Sequence, residues 1–362
     1  MSILFLPNMV KTEYNIIGVM SGTSLDGIDL IYVKFQKDTK WNFTVIEAQT
    51  FEYEDEWREK LSKLVSYSNS ELDLIDTDYT YHLANVINEF VEKNKITEID
   101  AICSHGHTAL HQPQNKLTYQ IGNKEMLATL TKNTVVCDFR VQDVELGGQG
   151  APLVPIGDEL LFSDYDFCLN LGGFANISTN IEGERIAYDI CPVNIVLNYY
   201  IKSLGFHFDD KGNLASSGSI NDSLLNELNS LDFYELPHPK SLGFEWVKNF
   251  VFPLINSYNM DIKDVLRTFV EHVAFKISKE INKKSNASVL VTGGGVYNEF
   301  LINRIKYHTN NKILIPSKNI IEFKEALIFG FLGVLRLRNE VNTLKSVTGA
   351  IKNHSAGNIF SS

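Results

Sequence analysis

Tyr14-Asn15-Ile16-Ile17-Gly18-Val19-Met20, then Ser21-Gly22-Thr23-Ser24-Leu25-Asp26-Gly27, then Ile28 to Phe35 read as strand, polar turn and strand. The apolar runs are too short for helices and are rich in β-branched residues, and the glycines bracket a reversal of the chain. Trp41 to Phe51 reads as a third strand. The same order returns later, with strand Phe167 to Leu171, turn Gly172-Gly173-Phe174-Ala175-Asn176, strand from Ile177, turn Gly183-Glu184 and strand Arg185 to Asp189.

Helices follow each set of three strands. Tyr79, Leu83, Val86, Ile87 and Phe90 fall on one helical face, with Asp76 and Thr77 as candidate caps. Val265, Leu266, Phe269, Val270, Val273 and Ile277 form the second stripe. Strand-like Ala101-Ile102-Cys103 and Ser288 to Val291 close the halves. Two similar β-β-β-α-β-α units predict two related α/β lobes with a cleft between them. The expected lobes are residues 1–131 with a C-terminal return 341–362, and residues 132–340.

Composition narrows the function. With 33 Lys+Arg against 44 Asp+Glu, the net charge of −11 disfavours a nucleic-acid partner. The longest apolar run, Ala326 to Leu335, is far short of the roughly 20 residues of a membrane span. The N-terminus lacks a basic region and an adequate apolar one, so no signal peptide is expected. Cys103, Cys137, Cys168 and Cys191 are widely spaced and follow apolar stretches, as buried thiols of a reducing, cytoplasmic compartment do.

Three glycine turns sit at strand ends. Gly22 and Gly27 have P-loop spacing, but Ile28 and Asp29 stand where Lys and Ser/Thr belong, and a strand follows instead of a helix. A phosphate-gripping hairpin and a plain hydroxyl-rich turn both remain open. Gly293-Gly294-Gly295 precedes a helical pattern from Val296 to Ile305 and suits a ligand laid on bare backbone. With Gly172 and Gly173, these turns point to nucleotide phosphates. His105 and His107 end a strand as the ligands of some metal hydrolases do, or are polar cleft residues. Asp189 is a candidate acid–base residue at a strand end, or a cap of the helix running from Pro192 to Leu204. Arg140, in Asp138-Phe139-Arg140, could clamp a carboxylate or phosphate, or form a surface ion pair.

Taken together, Gly18 to Gly27, Ser104 to His107, Gln120 to Gly122, Asp138 to Arg140, Gly147 to Pro155, Asn170 to Gly173, Ala175 to Ile177, Gly293 to Gly295 and Val347 to Ala350 resemble the anhydro-N-acetylmuramic acid kinase family over nearly the whole chain. That resemblance implies two ribonuclease-H-like lobes of the actin-like ATPase and sugar kinase architecture around a nucleotide cleft. It also implies a cytoplasmic peptidoglycan-recycling enzyme using ATP and Mg²⁺, with homodimerisation left open. Carried over, Gly22, Thr23, Ser24, Leu25, Asp26, Gly27, Ile28 and Asp29 form the phosphate loop, with Asp26 toward the metal. Gly172, Gly173 and Gly293 to Gly295 lie by the nucleotide, Asp189 is the base, and Arg140, His105 and Asn194 serve the sugar. The chain departs from the family pattern at Ile190-Cys191, at Leu242 and Phe244, and at His107, where glutamine is commoner. A kinase for another anhydrosugar, such as levoglucosan, and an ATP-dependent clamp are the alternatives.

Overall fold

The computed structural model describes residues 11–22 and 25–362. The chain divides into two compact units, one of residues up to Leu161 with Phe323–Ser362, the other Phe162–Glu322.

In the first unit, β1 (Glu13–Ser21), β2 (Gly27–Lys37) and β3 (Trp41–Glu52) form an antiparallel meander. β4 (Ala101–Gln112) returns parallel to β1, β5 (Leu117–Ile121) folds back on β4, and β6 (Val135–Cys137) lies parallel to β4. The order β6-β4-β1-β2-β3 is extended at the β6 edge by Asn358–Phe360. β1 is buried on both faces, as its continuous apolar run requires of a central strand, whereas edge strand β3 is largely half-exposed.

The second unit repeats this plan. β7 (Phe167–Leu171), β8 (Phe174–Ile181) and β9 (Glu184–Pro192) form the meander, and β10 (Ser288–Thr292) and β11 (Lys312–Leu314) lie parallel beside β7. The order β11-β10-β7-β8-β9 matches that of the first sheet. Both predicted helical stripes are buried, on Asn69–Lys93 and Ile262–Ile281. All four cysteines are buried, and among the described residues none forms a disulfide.

Several boundaries differ from those expected. The break expected at 131/132 falls at Leu161/Phe162, because β6 is hydrogen-bonded between β4 and Asn358–Phe360 in the first sheet. The C-terminal return begins at Phe323 instead of 341. The helix Asn69–Lys93 starts well before Asp76, since Leu72 and Ile75 extend its stripe back to a Ser68/Glu71 capping box. Asp76 is instead buried, accepting from Gly122 N–H and the Tyr119 hydroxyl, both at 2.6 Å. Phe174 to Asn176 belongs to a strand, so the turn there is Gly172-Gly173 alone. Pro192 ends β9, and the following helix is Asn194–Lys202. Gly294–Tyr297 is a 3₁₀ turn before the helix Glu299–Tyr307.

Candidate active site

In the first unit the register pairs Ser21 with Ile28, which limits the hairpin loop to residues 22–27. The predicted phosphate loop is therefore shorter than Gly22 to Asp29. Ile28 is fully buried in β2, and Asp29 accepts a 2.6 Å hydrogen bond from Thr50 across the sheet. Thr23 and Ser24 lie outside the described residues. Leu25 takes a left-handed φ of 60° and its N–H reaches Gly22 O at 3.4 Å, while the Asp26 side chain is exposed at the turn. Beneath the turn, Ser21 Oγ lies 2.6 Å from Tyr53 OH and 2.7 Å from His107 Nδ1. Tyr53 OH in turn lies 2.5 Å from Tyr79 OH. Burial lowers His107 to a pKa of about 4, so it is a neutral member of this chain at neutral pH.

β4 carries one extra residue against β1 between the pairs Val19↔Ser104 and Ser21↔His107. Such a bulge re-aims the side chains beside it. Gly106 takes φ +73° there, and a Cβ at this position would stand 2.6 Å from Ile121 O. His105, 3% exposed, has both ring nitrogens engaged: Nδ1 with Gly106 O at 2.8 Å and Nε2 with Arg140 Nε at 2.8 Å. No ring nitrogen remains for the sugar contact expected of it. Arg140 also donates through Nη1 to Gly150 O at 2.6 Å. Burial lowers its pKa to about 10, and the Glu325 and Asp143 carboxylates favour its charge from beyond contact distance. Among the described residues no carboxylate lies within 4 Å of the guanidinium. The oxygens of fully buried Asp143 are taken by Gly150 N–H and Thr348 Oγ1, both at 2.7 Å, which ties two of the quoted motifs together.

In the second unit a cross-strand row aligns Thr292, Asn170, Asn176 and Asp189. Paired residues share a face, so the row sets Asp189 at the edge where β7 and β10 run out into Gly172 and Gly293. Asp189 lies within β9 and not at its end, beside a bulge at Ile190 between the pairs Ala175↔Cys191 and Asn176↔Asp189. Its Oδ2 accepts Leu242 N–H at 2.7 Å, and its own N–H reaches Lys240 O at 3.0 Å. Lys240 Nζ anchors that segment on the Phe233 and Tyr234 carbonyls, at 3.2 and 3.4 Å. Among the described residues Asp189 Oδ1 has no hydrogen-bond partner. Burial raises the Asp189 pKa and the Leu242 N–H partly offsets it.

The Gly172-Gly173 turn is held by Val193 N–H on Gly173 O (2.8 Å) and Asn194 N–H on Gly172 O (3.3 Å). Asn194 Nδ2 lies 3.5 Å from Leu171 O. Gly293 has φ +84°, and a Cβ there would meet Asn170 Oδ1 at 2.6 Å, whereas one on Gly294 would meet nothing within 4 Å. Each unit thus gathers its own predicted residues at one sheet edge: Gly22, Asp26, His105 and Arg140 in the first, Gly172, Gly173, Asp189, Asn194 and Gly293 to Gly295 in the second. Glu325, Asp143 and the Ser21–Tyr53–Tyr79 chain escaped the sequence reading. The Gly147 to Pro155 and Val347 to Ala350 motifs, which contain Asp143's partners Gly150 and Thr348, hinted at Asp143, and Ser21 lies within the Gly18 to Gly27 motif.

The chain matches the family model for anhydro-N-acetylmuramic acid kinase over residues 14–362. It is 33% identical to the anhydro-N-acetylmuramic acid kinase of Haemophilus influenzae, covering 97% of this chain and 98% of that one. Identity to the protein of the same description from Pasteurella multocida is 34%, over 95% and 96% of the two chains. Among solved structures, the activator of 2-hydroxyisocaproyl-CoA dehydratase from Clostridium difficile with bound ADPNP aligns at 13% identity over 86% of this chain and 91% of that one, with a TM-score of 0.43. The fold assignment rests on the duplicated strand order and not on that likeness. The extent of the sequence match makes this chain a member of the anhydro-N-acetylmuramic acid kinase family.

Proposed function

We propose that this chain is a cytoplasmic, ATP-dependent kinase that opens the 1,6-anhydro ring of anhydro-N-acetylmuramic acid with water and phosphorylates O6. The product is N-acetylmuramic acid 6-phosphate, a step of peptidoglycan recycling. The observation that carries this reading is Asp189, a half-buried carboxylate with one oxygen held by a backbone N–H and the other free.

In an anhydrosugar O6 carries no proton, because it is bonded to the anomeric carbon. A base must therefore act on water. Asp189 Oδ1 takes a proton from that water, the water oxygen attacks C1 and the C1–O6 bond breaks. O6 then bonds to the γ-phosphorus of ATP as the bond from that phosphorus to the β,γ-bridging oxygen breaks and ADP leaves. Burial raises the Asp189 pKa above the ordinary aspartate value, which makes the ionised carboxylate a stronger base. Arg140 offers a guanidinium to an anionic group, and the glycine turns offer backbone N–H donors to phosphate. Mg²⁺ would offset phosphate charge. It needs only one or two carboxylates beside phosphate and water oxygens, a requirement the exposed Asp26 side chain fits.

ADP release should depend on anhydro-N-acetylmuramic acid and be much weaker with levoglucosan. Turnover in ¹⁸O-water, read before the anomers exchange, should place label on C1 and none on phosphate. Label on phosphate, or sugar-independent ADP release, would overturn the reading.

A further inference from the structure

His105 sits behind Arg140 in an arrangement that the partner atoms define completely. Gly106 O can only accept, so Nδ1 carries the proton; Arg140 Nε–H can only donate, so Nε2 is bare. The imidazole is therefore neutral. The bulge at His105-Gly106 and the left-handed φ of Gly106 bring the Gly106 carbonyl round to Nδ1, and Ile121 O leaves no room for a side chain there. The ring also lies against Phe329, with centroids 4.6 Å apart. The guanidinium donates through Nε to His105 Nε2 and through Nη1 to Gly150 O, two neutral acceptors.

Buried arginines are ordinarily paired with a carboxylate. The geometry points to His105 as a positioning residue that orients Arg140 through a neutral acceptor, leaving the guanidinium's full charge for an anionic group of the reactants. This deepens the kinase reading and rests on it for the nature of the anion, which is either the sugar's carboxylate or the phosphoryl group in transfer. Burial and the neighbouring guanidinium both hold His105 well below the usual histidine range, in keeping with a ring that stays neutral.

The test has a spectroscopic arm and a kinetic arm. In ¹⁵N-histidine spectra of the full chain, the resonances lost in His105→Gln should be those of a neutral ring protonated on Nδ1. A ring protonated on Nε2 would overturn the proposal, and this holds even if the chain turned over no anhydrosugar. Kinetically, His105→Ala should lower kcat/KM for anhydro-N-acetylmuramic acid by about ten- to a hundredfold, as expected for a lost hydrogen bond to a charged group. KM for ATP should stay within about twofold, and His105→Gln, which keeps an acceptor, should recover most of the loss. His105→Glu supplies a competing carboxylate. A loss confined to the anionic sugar identifies the sugar carboxylate as Arg140's partner, and an equal loss with levoglucosan identifies the phosphoryl group. Unchanged constants in His105→Ala, or a His105→Glu variant no worse than His105→Gln with either sugar, would overturn the positioning role. Should His105→Ala fail to fold, the spectra and the Gln and Glu variants still decide.

Discussion

The two sheets share one strand order but carry opposite chemistry at their edges. The first offers a guanidinium backed by a neutral imidazole, and the second a carboxylate flanked by glycine turns. In both, the side chain proposed to act lies beside a bulge or is held by a residue of one, at His105-Gly106 in β4 and at Ile190 in β9. A bulge turns a residue out of the regular alternation without disturbing the buried strands around it. The core therefore specifies where the edge lies, and one extra residue specifies what faces it. That is how a duplicated scaffold can evolve a cationic edge and a basic one independently.

The largest effect should come from the second edge. Asp189→Asn keeps the acceptor for Leu242 N–H and removes the base, so kcat should fall at least about a hundredfold while ATP affinity holds. The wild-type rate should also fall in acid, with a limb lying above the ordinary aspartate range because burial raises this pKa. Stability should move the other way. A carboxyl whose folded pKa exceeds its unfolded one destabilises the fold progressively as pH rises through that interval. The Asn variant should therefore melt above wild type at pH 7, with the gap closing in acid. Equal activity would remove the chemical contrast between the edges, and equal melting at all pH values would remove the burial argument.

A second prediction asks whether charge elsewhere in the second unit matters to the chemistry. Glu271, 5% exposed, accepts from Arg267 and Arg304 and meets His308 Nε2, at 2.6–2.7 Å. Burial alone would raise its pKa, but these partners hold it at about 2. A depressed folded pKa adds stability above the unfolded value of about 4.3, and that stability is lost as pH falls toward 2. Glu271→Gln should cost about 2 kcal/mol, discounted for its part-exposed arginines, and should flatten the acid limb of a melting profile. KM and kcat at 25 °C should be unchanged; a changed kcat would mean that the catalytic edge is not the only electrostatic device in this unit.

What could be read from the sequence follows from how local each feature is. β1 to β3 and β7 to β9 are periodic runs between turn residues, and the two buried stripes repeat at helical spacing, so the duplicated order was legible. Asp189 stood out as an acid read at a strand end shortly before Pro192, although β9 runs on through it to Pro192. The Arg140–His105 contact was hidden because its partners are 35 residues apart and meet only through the bulge in β4. The Lys240 to Phe244 segment drew notice for its unusual side chains, yet Asp189 is held by the backbone of Lys240 and Leu242, which any side chain leaves intact. The boundary at Leu161 was missed because β6 has only three residues and its place depends on a strand more than two hundred residues later.

The smallest effect concerns the glycine turn after β10, and it comes as a matched pair. Gly293 and Gly294 are adjacent, but only Gly293 has a left-handed φ and only there would a Cβ strike Asn170 and Leu171. Gly293→Ala should therefore lower stability by roughly 1–3 kcal/mol through backbone strain and overlap, dragging activity down with it. On Gly294 an added methyl enters open space, so the melting temperature should stay within about a degree, as for surface substitutions free of special contacts. If phosphate oxygens approach this backbone, the methyl occupies part of their path, and KM for ATP should rise about three- to tenfold while KM for the sugar is unchanged. A rise of that size is worth about 1 kcal/mol. Unchanged ATP binding in Gly294→Ala, with a stable fold, would take the Gly293 to Gly295 turn out of the nucleotide site and leave the second edge with Asp189 and the Gly172-Gly173 turn.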